Sequence, residues 1–129
     1  GNEAPVQPQV ATVVATHTGL GGVIGQERTY YSYRFVIDFE GPIFNMLGRD
    51  PEITAEVSTS AGDIEIVSAR PLHSTGGYRA RYDLIPPKDS NEPINLRLFL
   101  KKDDLALSET WLYQWTPPAD RDFTKPKHR

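Results

Sequence analysis

Between Ile94 and Lys101 the chain alternates without a break. Ile94, Leu96, Leu98 and Leu100 fall on one parity, and Asn95, Arg97, Phe99 and Lys101 on the other. Successive side chains of a strand point to opposite faces, so a run of this kind has one face to bury and one to leave outside. A helix would scatter the same leucines around its circumference. The pattern recurs. Tyr31, Tyr33, Phe35, Ile37 and Phe39 alternate with Ser32, Arg34 and Asp38, which places Asp38 on the exposed side. Tyr78, Ala80, Tyr82 and Leu84 read as inward, with Arg79, Arg81 and Asp83 outward. Val10–Thr16 is β-branched and apolar. Residues 52–70 read as a hairpin turning at Ser60–Asp63, and a last strand runs from Leu105 to Trp115. Ile43–Leu47 reads as a single helical turn that plugs one end.

Single-faced strands must pair their apolar faces, and the simplest arrangement is two sheets packed together. The expectation is an all-β, immunoglobulin-like antiparallel β-sandwich of about seven strands. Phe35, Ile37, Val57, Tyr82, Leu96, Leu98 and Trp111 are expected in its core. Eleven prolines and ten glycines suit many turns, and 129 residues suit one domain. Residues 1–9 read as a polar leader or linker, 10–117 as the sandwich and 118–129 as a disordered tail.

Most kinds of site chemistry find no support in the sequence. There is no cysteine, which removes disulfides, thiolate metal sites and thiol nucleophiles. The net charge of −3 gives no field that would draw the chain to nucleic acid. No apolar run is long enough for a transmembrane helix. Gly19, Gly21, Gly22 and Gly25 look like a phosphate loop, but no Gly-Lys-Ser/Thr follows and no helical pattern begins there. His17, His73 and His128 lie far apart, with no second histidine at ligand spacing, so the sequence implies no metal and no cofactor. No Gly-x-Ser-x-Gly elbow marks a serine nucleophile.

Two sets of residues in the last strands stand out. Trp111, Tyr113 and Trp115 share one face, and such a row either fills a sandwich core or offers rings to sugars or to an interface. Glu109 shares the parity of Leu107 and Trp111, where a bare carboxylate would be costly. It is expected to be partnered by an arginine, or else lifted out at a bulge or sheet edge. Arg34 and Arg97 are the candidate partners, although Arg97 lies on the face opposite Leu96 and Leu98.

The segment Leu107–Pro117, Leu-Ser-Glu-Thr-Trp-Leu-Tyr-Gln-Trp-Thr-Pro, resembles the C-terminal end of the periplasmic glucan biosynthesis protein G/D family. Val14–Thr16 with the glycines that follow, Tyr33–Gly41, and Leu96–Leu100 resemble other segments of the same family in the same order. The resemblance spans roughly residues 10–117. It implies a smaller immunoglobulin-like domain at the C-terminus of a longer secreted protein. The glucan cleft of such a protein, and the β-1,2-glucan hydrolysis of its D-type members, belong to a large N-terminal β-sandwich domain. No catalytic residue carries over to this chain. The resemblance implies a periplasmic, non-catalytic accessory domain whose partner is that N-terminal domain, with β-glucan as a further candidate ligand. The other reading is a stand-alone carbohydrate- or protein-binding sandwich. A small glycosidase ranks last, because a sandwich of this size has little room for a cleft with paired acids.

Overall fold

The computed structural model describes residues 10–22, 30–47 and 52–121. The leader at 1–9, the glycine-rich loop from residue 23 to 29, and the end of the tail from 122, with His128, lie outside them. The strands are β1 (Thr12–Leu20), β2 (Tyr33–Glu40), β3 (Thr54–Thr59), β4 (Asp63–Leu72), β5 (Gly77–Ile85), β6 (Ile94–Lys102), β7 (Leu105–Ala106) and β8 (Trp111–Trp115). One 3-10 helix, Pro42–Met46, follows β2 and buries Ile43 and Phe44. Two antiparallel sheets result. One has the order β1-β2-β5-β4; in the other, β6 is flanked by β3 on one side and by β7 and β8 on the other. The chain is an all-β, two-sheet antiparallel sandwich, with one short strand more than the alternation suggests.

The alternating runs become the facing sides of the two sheets. Phe35, Ile37, Phe39, Ala80, Tyr82 and Leu84 from the first sheet are fully buried, as are Leu98 and Leu100 from the second. Leu96 and Trp111 are buried beside them. Val57 is only partly buried, because β3 is an edge strand of its sheet. Gly62 makes the β3–β4 hairpin possible. It has a φ of 82°, and a side chain there would meet the Ile85 carbonyl oxygen at 2.4 Å.

The last strand departs from the sequence reading. It is broken into β7 and β8 with an irregular stretch between them. Ala106 faces Lys101 of β6 while Trp111 faces Leu98, so five steps along this segment are matched by three along β6. Two residues are extra, which is a bulge. The segment is held in place by its neighbours. Leu107 N–H donates to the Leu100 carbonyl, Ala11 N–H to the Leu107 carbonyl, and Glu109 N–H to the Ala11 carbonyl. The buried Ser108 hydroxyl accepts from Leu100 N–H at 2.8 Å and donates to the Glu109 carbonyl. The start of the chain's first strand is thereby tied to the second sheet.

Residues 118–121 are also placed. Arg121 donates to the carbonyls of Pro118, Pro87 and Ser90 and to the Asn91 side chain. This guanidinium bridges the segment to the β5–β6 connection.

Truncating Leu98 to Ala should destabilise the fold by about 2–5 kcal/mol in denaturant titrations, the range for a buried leucine. Tyr82 provides a second test. Its ring is fully buried and its hydroxyl has no partner among the described residues. Burial pushes its phenol pKa up from the usual 10.0. A raised folded-state pKa contributes stability that is fully present below the unfolded-state value and is lost as pH climbs from there through the folded-state pKa. Tyr82→Phe should change stability by less than about 1 kcal/mol at neutral pH. It should also lessen the loss of stability above pH 10, read from melting temperatures across an alkaline series.

Candidate functional site

The row Trp111, Tyr113 and Trp115 faces into the sandwich, because in the β6–β8 ladder these residues sit opposite Leu98, Leu96 and Ile94. Their rings close on Phe35 of β2. Trp111, Tyr113 and Trp115 lie with ring centroids 6.0, 5.7 and 5.8 Å from it, all in edge-on geometry. Trp111 also stacks on Tyr113 at 5.3 Å, and its indole N–H donates to Thr16 Oγ1 at 3.0 Å. Trp115 stacks on Tyr33 at 4.9 Å. Trp111 is buried and Trp115 half-buried, while Tyr113 is 36% exposed. That exposure arises because β8 is the free edge of its sheet. A sugar would need the open face of one of these rings, and the packing occupies most of that area.

Glu109 rides on the bulge between β7 and β8 and is exposed. Its Oε2 accepts from the Val13 N–H at 2.7 Å. Its partner is therefore the backbone of β1 at the strand's own irregularity between Val13 and Ala15. Parity fails at this position because the two extra residues release it from the alternation. Arg97 is exposed on the outer face, opposite Ser58 and Leu112. Arg34 goes elsewhere. It donates from Nε to Asp83 Oδ1 at 2.7 Å and from Nη2 to Asp83 Oδ2 at 3.2 Å.

The alternation missed this pair and a second one. Asp83, read as outward, has no exposed surface, and Asp38, read as exposed, is buried too. Both do point away from the core, but neither reaches water freely. Asp83 lies directly opposite Arg34, and Asp38 directly opposite Arg79, in the β2–β5 ladder. Arg79 covers Asp38 with two bonds, Nε to Oδ1 at 2.7 Å and Nη2 to Oδ2 at 2.9 Å. Asp38 in turn raises the pKa of the Arg79 guanidinium through these hydrogen bonds. Over Asp83 runs the beginning of the glycine-rich stretch. Gly22 N–H donates to Asp83 Oδ2 at 3.0 Å, and the Gly22 carbonyl accepts from Arg34. A side chain at Gly21 would meet Ser32 Oγ at 2.4 Å and Asp83 Oδ2 at 2.7 Å. Gly21 and Gly22 lay backbone against a buried carboxylate, which excludes an anion there. Their spacing carried a signal of close backbone approach, but no signal of what was approached.

Of the histidines, His17 lies exposed on β1 and His73 in the turn after β4. Among the described residues no three His, Asp or Glu side chains come together as a metal site would require. None of the described helices is long and apolar enough to cross a membrane.

A family model described as "Periplasmic glucan biosynthesis protein, MdoG" matches residues 1–115. The chain belongs to this family. It is 58% identical over 118 residues to the probable glucans biosynthesis protein D of Shewanella oneidensis. It is 52% identical over 118 residues to the glucans biosynthesis protein D of Stenotrophomonas maltophilia, and 49% identical over 120 residues to that of Xanthomonas campestris. Each match takes in 92% of this chain and 22% of the relative's length. The chain thus spans about a fifth of these proteins and corresponds to their C-terminal domain.

The two carboxylates should separate sharply in stability measurements. Asp83→Ala leaves Arg34 partly buried without its partner and should cost about 3–5 kcal/mol. Glu109→Ala removes one exposed hydrogen bond and should cost about 0.5–1.5 kcal/mol in the same denaturant titrations.

Proposed function

We propose that the chain is the non-catalytic C-terminal accessory domain of a periplasmic glucan biosynthesis protein. In this reading it supports an N-terminal domain that binds or processes glucan. The observation that carries the reading is the direction of the aromatic row. Trp111 and Trp115 give their ring area to Phe35, Tyr33 and Tyr113 and have little left for stacking on a sugar. The ionisable pairs favour the same view. Arg34–Asp83 and Arg79–Asp38 satisfy each other across strands, whereas catalytic carboxylates must face a substrate. The family and the share of the relatives' length supply the setting: a periplasmic protein most of whose chain lies outside this domain.

Two measurements test this. The purified chain, incubated with linear β-1,2-glucan and assayed for reducing ends, should show no turnover. Turnover abolished by Glu109→Gln would overturn the accessory reading. Glucan binding, measured by calorimetry, should be absent from the chain alone and present when it is joined to its N-terminal partner domain. Binding by the chain alone, lost on Trp115→Ala or Tyr113→Ala, would instead make it a carbohydrate-binding module.

A further inference from the structure

An accessory domain needs a face for its partner, and the strand directions mark one pole of this sandwich. β1 starts there, beside the end of β2, since Thr12 lies opposite Glu40. The end of β4 and the start of β5 meet at the same pole, with Leu72 opposite Gly77. The 3-10 helix, the β6–β7 turn and the start of β3 complete it. Polypeptide preceding β1 must arrive at this pole, whatever its length. The opposite pole carries Leu20–Gly22, the β3–β4 hairpin and Arg121.

The chain-entry pole is also where large apolar side chains are left uncovered. Val10, Met46 and Leu105 are 40%, 67% and 60% exposed. They come from three different connections, so no single loop accounts for them. Beside the 3-10 helix lies a recess of about 270 Å³, formed by Phe44, Leu72, His73, Gly77 and Tyr78. Its aromatic floor is firm, because Phe44 packs on Tyr78 at 5.0 Å. At its edge the Gly77 backbone lies so close to β2 that a side chain there would strike the Phe39 carbonyl oxygen at 2.2 Å. His73, which lines the recess, is exposed, and Asp103 and Asp104 stand exposed in the β6–β7 turn at the same pole. An apolar patch with a polar rim is the usual composition of a docking surface. The remaining large exposed apolar groups are spread over other surfaces: Val14 on edge strand β1, Ile66 and Val67 on the bulge of edge strand β4, Leu112 on the outer face of β8, Tyr113 on the same edge strand, and Tyr30 at the opposite pole.

We infer that the pole formed by the 3-10 helix, the β4–β5 turn and the β6–β7 turn is the surface on which the preceding domain of the same protein docks, with an apolar side chain of that domain seated in the Phe44–Tyr78 recess. This rests on the accessory reading and adds the face. The occupant follows from two facts. The relatives are several times longer than this chain, and the strand that connects to the rest of them begins at this pole. A tethered partner acts at high effective concentration, so a surface of this modest size can hold it.

Amide hydrogen exchange tests the inference, comparing this chain alone with the full-length protein that carries it. Residues 43–47, 72–78 and 103–106 should gain protection of roughly tenfold or more in the full-length protein. Met46→Glu combined with Leu105→Glu, both at exposed positions, should abolish that gain without changing exchange in the core of β6. Leu112→Glu should leave it intact. Gained protection at Ile66–Val67 or around Leu112, with the pole unchanged, would overturn the inference and leave the accessory reading standing. No gained protection anywhere on the domain would overturn both.

Discussion

Both sheets close on the ring of Phe35. It comes from β2, an inner strand of the first sheet, and it meets the rings of Tyr33, Tyr82, Trp111, Tyr113 and Trp115. Aromatic pairs gain from edge-on and offset contacts beyond the area they bury, so this cluster holds β8 against β2 by more than hydrophobic pressure. The functional reading depends on it. β8 is five residues long and lies at a free edge, and without these contacts its tryptophans would be open to solvent and to ligands. With them, the aromatic row joins one sheet to the other.

A second layer of order lies on the outer face of the first sheet. Arg34–Asp83 and Asp38–Arg79 run in opposite senses across the same two strands. Sliding β2 by one residue against β5 would separate both pairs and strand a fully buried carboxylate. Pairs of this kind are weak arguments for net stability, since desolvation offsets much of their attraction. Their clear effect here is on register, and the core alternation demands the same register. The glycine-rich stretch after β1 completes the arrangement by placing an N–H and a carbonyl against the pair. The described part of a stretch that resembles a phosphate cradle in sequence, Gly21 and Gly22, lies instead against an internal ion pair.

The family assignment and the architecture bear on each other. A sandwich whose aromatic row is turned inward and whose buried ions are paired with one another leaves Val10, Met46 and Leu105 exposed together at one end. That end is where the first strand begins. In a chain that makes up about a fifth of its relatives' length, the apolar residues left outside the core are best understood with respect to the rest of the protein.

The strands, their inward faces and most of the core were legible in the sequence, because period-two alternation is a local property and survives any tertiary arrangement. Leu96, Leu98, Phe35 and Tyr82 needed no partner to be read. The family was legible too, in the run from Leu107 to Pro117. The two-residue bulge that frees Glu109 was not, because its cause is the crossing of Ala11 against Leu107 and Glu109, nearly a hundred positions away. Nor were the partners of Asp38 and Asp83. Alternation states which face a side chain takes, and both aspartates do take the outer one. Whether that face is wet depends on which strand lies alongside, in what register, and on what loop folds over it. Those are relations between distant segments, and only the assembled sheets decided them.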